Sequence, residues 1–577
     1  MRPIIEYHGP LFQWLCRLTM RLGHDRALLL WQLAVVVWLL SISSLVVTKR
    51  FSGVFTVLTL AGIALLRLPG LGLVELNVDE SQWIVSAATL VHDPRFWYSV
   101  DGTTSGPVNV GFPALVYYLG FSLDYTTLRL WGLLTCVVPT AWLLLATFRH
   151  QFGERLARLG IVPVAACLAL TTDADGVAFG SEQLPMLLLA LVGYLLSRLF
   201  SETAGRGPSA GGLLVLGCVL GCFPYTKLQA TPIGLVIAIW VLVGLLTGVA
   251  APAPHRFRRV GGFVAGGLLP TVLVGVYLLV TGLTDYAIRS YILVNLEYAQ
   301  AGSWGGGAVS WADRWLVRLP RIYGDMPTTR WFWWLALVLG VLYLINRGLR
   351  SDKASRPDQR LWFTLSVCAV SLYATGQPGN LFAHYQWLSF VPVSWLMGQL
   401  INGLVARPER PPLPSAPTHG LRAALVVGVL MSSAYPGWLA VSRPNAGIGQ
   451  LASGGWRSAL QPVSEAIQLH AQPNERMVVW GWANNLHVET GLLMGSRFIP
   501  LYFPVVPGPQ QAYFLDVYRQ DLLINRPAII VDALALHPGK AYDRYPIQRY
   551  PSIQAILDTR YRLVETVNGA KIYALRK

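Results

Sequence analysis

The stretch "GVFTVLTLAGIALLRLPGLGLVELNVDESQW" (residues 53–83) decides the fold. Its first part, Gly53–Leu66, carries no charge. With its flanks it reads as a spanning helix over 52–69, since a bilayer crossing takes roughly 20 mainly apolar residues. Glu75, Asp79 and Glu80 follow at once. Carboxylates where a helix leaves the membrane are costly against apolar neighbours, so they need a partner or a task.

The rest of the chain supports a membrane reading. Of 577 residues, 54% are hydrophobic and only 13% charged. An ordinary globular domain carries about a quarter charged residues. Spanning candidates lie near 27–47, 52–69, 126–148, 156–172, 184–200, 211–225, 229–249, 261–282, 331–346, 361–376, 386–405 and 421–442. The expected class is a polytopic α-helical membrane protein of about 12 helices. The formal net charge is +16. In a soluble chain that would point to nucleic acid. Here the arginines sit between apolar runs, where they set topology and meet lipid headgroups. No nucleic-acid partner is predicted. The six cysteines avoid residues 443–577 and form no CxxC pair, so neither a disulfide framework nor a zinc site is predicted. Cys218 and Cys222 read as small packing residues on one helix face. Residues 1–26 are polar and basic, and the next run is too long for a signal-peptide core, so no cleavable signal is predicted.

Basic residues orient the helices. Arg149, Arg155 and Arg158 share one loop; Arg198 and Arg206, then Arg256, Arg258 and Arg259, occupy later ones. Arg347, Arg350, Lys353, Arg356, Arg360, Arg407, Arg410 and Arg422 follow on the same side, which the positive-inside rule makes cytoplasmic. The outer side receives 70–125, 173–183, 283–330, 377–385 and everything after 443. Arg2, Arg17, Arg21 and Arg26 run against this scheme. Either 27–47 does not fully span, or 10–22 is an amphipathic interfacial helix. The chain thus divides into a basic segment (1–26), a transmembrane domain (27–442) and an extracytoplasmic α/β domain (443–577). In the last, "ERMVVWGW" (475–482) and "PAIIVDA" (527–533) read as strands and "PQQAYFLDVYRQDLLI" (509–524) as a helix. "YRLVETVNGAKIYALR" (561–576) reads as a hairpin turning at Asn568–Gly569. The Pro-rich piece 408–417 reads as a stiff connector.

Several outer-side residues are candidates for chemistry. Asn77 and Glu80 have capping-box spacing, which leaves Asp79 in the first helical turn, where the positive helix end favours an ionised carboxylate. "DGTTSGPVNVGFP" (101–113) suits either an ordinary loop or a close backbone approach to a ligand. "TTDADGVAFGSEQLP" (171–185) brings Asp173, Asp175 and Glu182 to the same side; the two aspartates read as loop residues, and Glu182 as a cap or a site carboxylate. Lys227 in "CFPYTKLQATP" and His384 in "GQPGNLFAHYQWLSFVP" break the charge asymmetry. Each suits either snorkelling or a phosphate at the membrane surface. Arg289 and Arg314 are further cations in the loop 283–330.

Taken together these segments resemble the GT-C membrane glycosyltransferases, in the branch of protein O-mannosyltransferases and aminoarabinose transferases. The likeness rests on "VDE" (78–80), "TTSGPVN" (103–109), "SEQLP" (181–185), "AHYQWLSFVP" (383–392) and the tail "RMVVWGWANNLHVETGLLMGSRF" (476–498). The helix 27–47 departs from the family's usual start. The resemblance implies a sugar carried on a polyprenyl phosphate and a hydroxyl acceptor on a lipid, glycan or protein. It implies inverting transfer at the outer face of the plasma (inner) membrane. Asp79 would be the general base, with Glu80 beside it. Lys227, His384 and Arg289 would meet the donor phosphate, and Glu182, Tyr385, Ser105 and Asn109 would bind substrate. Glu80 and Glu182 are candidates for a divalent metal; no nucleotide cofactor is implied, in keeping with the lack of a Walker or Rossmann fingerprint. The rival expectation is a transporter or flippase of lipid-linked substrates, against which the sequence offers no internal repeat. A membrane scaffold would leave the acidic residues idle.

Overall fold

The computed structural model describes residues 3–48, 51–201, 207–247, 255–301, 309–349, 359–405, 418–443, 445–454, 458–536 and 544–576. The Pro-rich connector and Arg2, Arg206, Arg350, Lys353, Arg356, Arg407 and Arg410 lie outside the described residues. Among those described, eight helices are long and apolar enough to cross a membrane. They are His24–Val47, Ser52–Leu71, Tyr125–Phe152, Gln183–Phe200, Leu228–Thr247, Arg256–Thr281, Ala383–Val405 and Arg422–Ala452. The four other expected spans are also helices: Glu154–Leu170, Ala210–Gly221, Arg330–Leu349 and Gln359–Gly376. Glu154–Leu170 runs through the middle of the bundle, and every residue from Ala157 to Leu170 is buried. Its Arg158 stays inside by pairing with Glu154 at 2.7 Å and donating to the Leu45 and Thr48 carbonyls at the end of a neighbouring helix. Large apolar side chains such as Leu268, Leu279, Val280 and Leu344 point outward, as a lipid-facing surface requires.

One helix pair shows how backbone proximity positions later residues. Ala210–Gly221 lies flat against Arg256–Thr281. A Cβ at Gly217 would come within 2.2 Å of the Phe263 carbonyl oxygen, and one at Gly266 within 2.1 Å of that of Leu214. Small residues permit such contact in a bilayer, where lipid tails compete equally for apolar side chains. The first helix then leads through the short turn Phe223–Thr226 to Lys227, which is extended (φ −147°, ψ 119°) before Leu228–Ala230 resumes a helical path.

The N-terminal basic segment contains a helix of its own. Pro10–Leu22 is a separate helix, bent away from His24–Val47 at Gly23, with Phe12, Leu15 and Cys16 buried and Trp14, Leu18 and Met20 exposed. Its outward face carries Arg17 and Arg21 as well as these apolar side chains. It sits at the same bundle end as Asp124, whose carboxylate accepts the Gly9 N–H at 3.1 Å, and Glu6 N–H bonds the Leu123 carbonyl at 3.2 Å.

The C-terminal part forms a five-stranded sheet in the order β2-β1-β3-β5-β4. The strands are β1 (Arg476–Trp480), β2 (Leu493–Met494), β3 (Ile529–Asp532), β4 (Tyr561–Val567) and β5 (Ala570–Leu575). β1 pairs parallel with β2 and β3, while β5 runs antiparallel to both β3 and β4. Asn568 and Gly569, both at positive φ (52° and 82°), turn the final hairpin. The helix Gln511–Asn525 follows the expected segment. The two-residue β2 carries no pattern a sequence reader would find. The sheet domain docks on the bundle: Arg497 pairs with Asp521 at 2.7 Å and donates to the Trp97 carbonyl at 2.9 Å. The Asp101 N–H in turn donates to the Arg497 carbonyl at 2.8 Å.

Replacing Gly266 with Leu should separate the two close helices. Overpacking of this kind costs ~1–3 kcal/mol. The expected outcome is a lower unfolding midpoint in detergent, measured by a thermal-shift assay, with Gly261→Leu as a control, since a Cβ there meets nothing within 4 Å.

Candidate active site

The site begins with the helix Val78–His92. Asn77 caps it, its side chain accepting the Asp79 N–H at 3.0 Å. The expected capping box does not form, because Glu80 is used elsewhere. Its Oε2 accepts the Leu76 N–H at 3.0 Å, and its carboxylate receives Arg129 at 2.7 and 2.5 Å. Both side chains are buried. Arg129 also donates to the Val74 carbonyl at 2.9 Å, so the pair ties down the loop ahead of the helix. Glu80 therefore points into protein packing rather than into an open site. Asp79, one residue earlier, is half-buried and lines a cavity. Its carboxylate makes no hydrogen bond among the described residues.

Five other side chains form a chain of contacts beside Asp79. The Asn77 amide donates to Asp175 Oδ1 at 2.7 Å. Asp175 Oδ2 lies 3.3 Å from His384 Nδ1, and His384 Nε2 lies 3.9 Å from Glu182 Oε1. Glu182 forms a buried ion pair with Lys227, whose Nζ also donates to Ser181 Oγ at 2.7 Å. The ammonium lies 4.8 Å from the centre of the Tyr385 ring. Asp175, read from sequence as a loop residue, is thus part of this chain of contacts. Local packing sets each position. Gly106 lets the Gly-Pro segment touch the Lys227 strand: a Cβ there would come within 2.3 Å of the Tyr225 carbonyl oxygen, and Gly106 N–H bonds the Thr226 carbonyl at 2.9 Å. The close approach is to protein backbone. The turn Ala383–Gln386 is held by Gln386, whose Oε1 accepts Thr329 Oγ1 at 3.1 Å and Trp333 Nε1 at 2.6 Å.

The cavity has a volume of about 240 Å³. Asn77, Asp79, Asp175, Ser181, Lys227 and His384 supply its polar wall. Trp83, Tyr298, Phe382, Tyr385, Trp482, Tyr502 and Phe503 supply an aromatic one. The last three, Trp482, Tyr502 and Phe503, come from the sheet domain, so that domain closes one side. Sequence reading found none of these three, because nothing in a sequence pairs position 482 with position 79.

Other expected residues lie off the cavity wall. Ser105 is buried, pairing by backbone with Lys227, and its Oγ has no hydrogen-bond partner. Asn109 donates to the Ser181 carbonyl at 2.8 Å. Both support Lys227 and Ser181 from behind; Thr103 and Thr104 line the cavity instead. Arg289 pairs with Asp285 at 3.0 Å and donates to Gln510 at 3.0 Å, facing the sheet domain. Arg314 bonds Gln377 at 3.4 Å and the Ala299 carbonyl at 3.3 Å. The metal candidates are committed to cations, Glu80 to Arg129 and Glu182 to Lys227. Among the described residues no group of three or more His, Cys, Asp or Glu is arranged to hold a metal ion, so the residues do not fit one.

Burial and charged partners separate the carboxylates by proton affinity. Loss of solvent raises Asp79 above the usual carboxylate range, with His384 and Lys227 opposing the rise. Burial also pushes Glu182 and Asp175 up, but their partners win: Lys227 and His384 hold Glu182 low, and His384 holds Asp175 low. One carboxylate therefore retains proton affinity while two stay ionised against cations. Glu75, behind the site, is pushed up to about 8 by burial, with Ser81 donating to it.

No family model and no curated protein matches the sequence. Solved structures do. ArnT from Cupriavidus metallidurans bound to undecaprenyl phosphate aligns over 91% of this chain and 98% of that chain, with a TM-score of 0.53 at 15% identity. An oligosaccharyltransferase from Archaeoglobus fulgidus tethered with an acceptor peptide aligns over 92% of this chain and 74% of that chain, with a TM-score of 0.45 at 11% identity. The first match, nearly end to end on both chains, gives this protein the GT-C fold: a helical membrane bundle followed by a small C-terminal α/β domain.

Two outcomes follow for stability. Arg129→Met strands the buried Glu80 charge, and breaking such a pair costs ~3–5 kcal/mol. Thermal unfolding should show a large loss for Arg129→Met and little for Asp79→Asn. The second concerns pH. A native pKa of about 8, against an ordinary 4.5, means that folded Glu75 holds a proton the unfolded chain releases. That stability is full below about 4.5 and lost as pH rises through 8. Glu75→Gln should flatten the fall in unfolding midpoint across this window.

Proposed function

We propose that this protein is an integral membrane glycosyltransferase that moves a sugar from a polyprenyl phosphate to a hydroxyl acceptor on the extracytoplasmic side. The observation that carries the reading is Asp79: a carboxylate without a side-chain partner, of raised proton affinity, in an aromatic-walled cavity beside Lys227 and His384. The fold it shares with a structure described as bound to undecaprenyl phosphate supports a donor of that chemistry.

The acceptor hydroxyl attacks the anomeric carbon from the side opposite the phosphate, inverting it. Asp79 takes the hydroxyl proton as the new C–O bond forms, which is worth about 10²–10⁴-fold. The old C–O bond breaks with its electron pair leaving on the phosphate. An ammonium has three N–H donors. Lys227 uses two, on Ser181 and Glu182, and the third is available to the leaving oxygen. His384 Nε2, too far from Glu182 for a hydrogen bond, is the second donor. Asp175 orients the imidazole from its other nitrogen. Glu182 and Tyr385 position Lys227, and no step passes through a metal. The carbohydrate's apolar faces suit the aromatic wall.

A prenyl chain has a path as well. A groove of about 1190 Å³ runs along Arg330–Leu349, lined by Trp333, Leu337, Val341, Leu344, Leu365 and Leu372. Trp333 links it to the site through Gln386, two residues from His384. A transporter would need a route through the bundle, whereas this cavity sits at one end of the helices. The acceptor, whether lipid, glycan or protein, would enter past the sheet domain.

The test is transfer of a radiolabelled sugar from synthetic polyprenyl phosphate to envelope extract by purified protein. Asp79→Asn should lose about 10²–10⁴-fold in rate while still binding the donor. Lys227→Ala should weaken donor binding more than acceptor binding. The wild-type rate should rise with pH as Asp79 deprotonates, above the usual aspartate range. Undiminished transfer by Asp79→Asn contradicts the mechanism.

A further inference from the structure

The helix that presents Asp79 brings two more polar groups to the same cavity. On a helix, residues three and four apart share a face. Gln82 and Trp83 stand at those spacings from Asp79, and both line the cavity. Neither takes part in the proton transfer or meets the phosphate.

Both polar groups are uncommitted. Gln82 is 5% exposed, and its side-chain amide makes no hydrogen bond among the described residues. Trp83 is 4% exposed, and its indole N–H is buried without a hydrogen-bond partner. Buried polar groups in native proteins are nearly always paired, and an orphan costs free energy until something bonds to it. Other polar side chains of the same helix are satisfied. Ser81 bonds Glu75 and Tyr125, Ser86 donates to the Met494 sulfur at 3.9 Å, and Thr89 accepts the Met494 N–H at 3.2 Å. The last two bonds hold the helix against β2 of the sheet domain. Asp79, Gln82 and Trp83 thus form one stripe of unmet hydrogen-bonding groups along the cavity.

We infer that Gln82 and Trp83 recognise the transferred sugar, through hydrogen bonds to its ring oxygens and hydroxyls. The inference rests on the reading of Lys227 and His384 as the site of the donor phosphate. A primary amide offers donors on Nε2 and an acceptor on Oε1, which suits a pair of neighbouring hydroxyls, each of them donor and acceptor at once. The indole N–H only donates, so its partner is an oxygen with a free lone pair. Size agrees. Pockets for drug-sized ligands run about 300–1,000 Å³. A cavity of about 240 Å³ suits one sugar ring rather than a chain of them. Position agrees too. The sugar is the part of the donor that must reach Asp79, and the next turn of helix carries the pair. The transferred unit is therefore a monosaccharide with free hydroxyls, read by the helix that carries the base. Such a site discriminates: an analogue lacking the hydroxyl leaves the buried amide or indole unpaired.

The experiment is equilibrium binding to the purified full chain in nanodiscs, without acceptor. The probes are radiolabelled decaprenyl phosphate, bare or bearing glucose, mannose, galactose or arabinose. At least one glycosylated carrier should bind about tenfold more tightly than the bare one, the scale of one or two net hydrogen bonds. Among monodeoxy analogues of the preferred sugar, at least one should lose that gain. Gln82→Leu and Trp83→Phe should each weaken the preferred carrier about tenfold and leave bare decaprenyl phosphate unchanged. In each variant the matching deoxy analogue should cost nothing further. A merely structural role would weaken both carriers together, as Lys227→Ala should. A wild-type preference that no single deoxy position diminishes overturns the inference, even if a variant proves unstable. So does full preference retained in both variants, or equal wild-type binding of bare and glycosylated carriers; these outcomes leave the phosphate site standing. Wild-type protein that fails to bind even the bare carrier overturns the proposed function, and this inference with it.

Discussion

The buried ion pair of Lys227 with Glu182, extended through His384 to Asp175 and Asn77, is the contact on which the site depends. Its members come from segments far apart in the chain, each at the mouth of a helix. A lone charge there would be expensive, and removing one partner strands the other. The cluster therefore holds the helix mouths in register while keeping two carboxylates ionised. Asp79, just outside it, feels the same burial without a dedicated cation. That difference in partnership, rather than in residue type, sets Asp79, the proposed base, apart from the paired carboxylates.

Glu80 makes the same point from the opposite direction. It neighbours Asp79 in sequence yet serves Arg129 and the loop 73–76. A helix turns about 100° per residue, so adjacent side chains leave on different sides. Here Glu80 turns to Arg129 while Asp79 lines the cavity. The adjacent carboxylates after the early helix thus have separate tasks, one holding the loop and one facing the cavity.

Much of the fold was legible because the bilayer imposes long apolar runs. All twelve expected spans are helices, and the final hairpin turns at Asn568–Gly569. The site was legible only in part. Lys227 and His384 stood out by breaking the charge asymmetry, and Asp79 as the first-turn carboxylate that the helix cap leaves over. Asp175 did not, since an aspartate in a Gly-containing loop looks like any other. Trp482, Tyr502 and Phe503 were hidden because the contact between sheet domain and bundle has no local signature. Ser105 and Asn109 were found, yet they act behind the wall: the Gly-Pro segment folds against the Lys227 backbone rather than against open space. The short β2 is made only by tertiary pairing to β1.

The central claim is that position 79 opens to the extracytoplasmic compartment beside a site for a lipid-linked phosphate. Asp79→Cys in a background lacking the six native cysteines tests it most directly, using a small, membrane-impermeant thiosulfonate on intact cells. The account predicts modification from outside, slowed by added undecaprenyl phosphate in purified protein. Modification only after the membrane is permeabilised, or none in either condition, would contradict it.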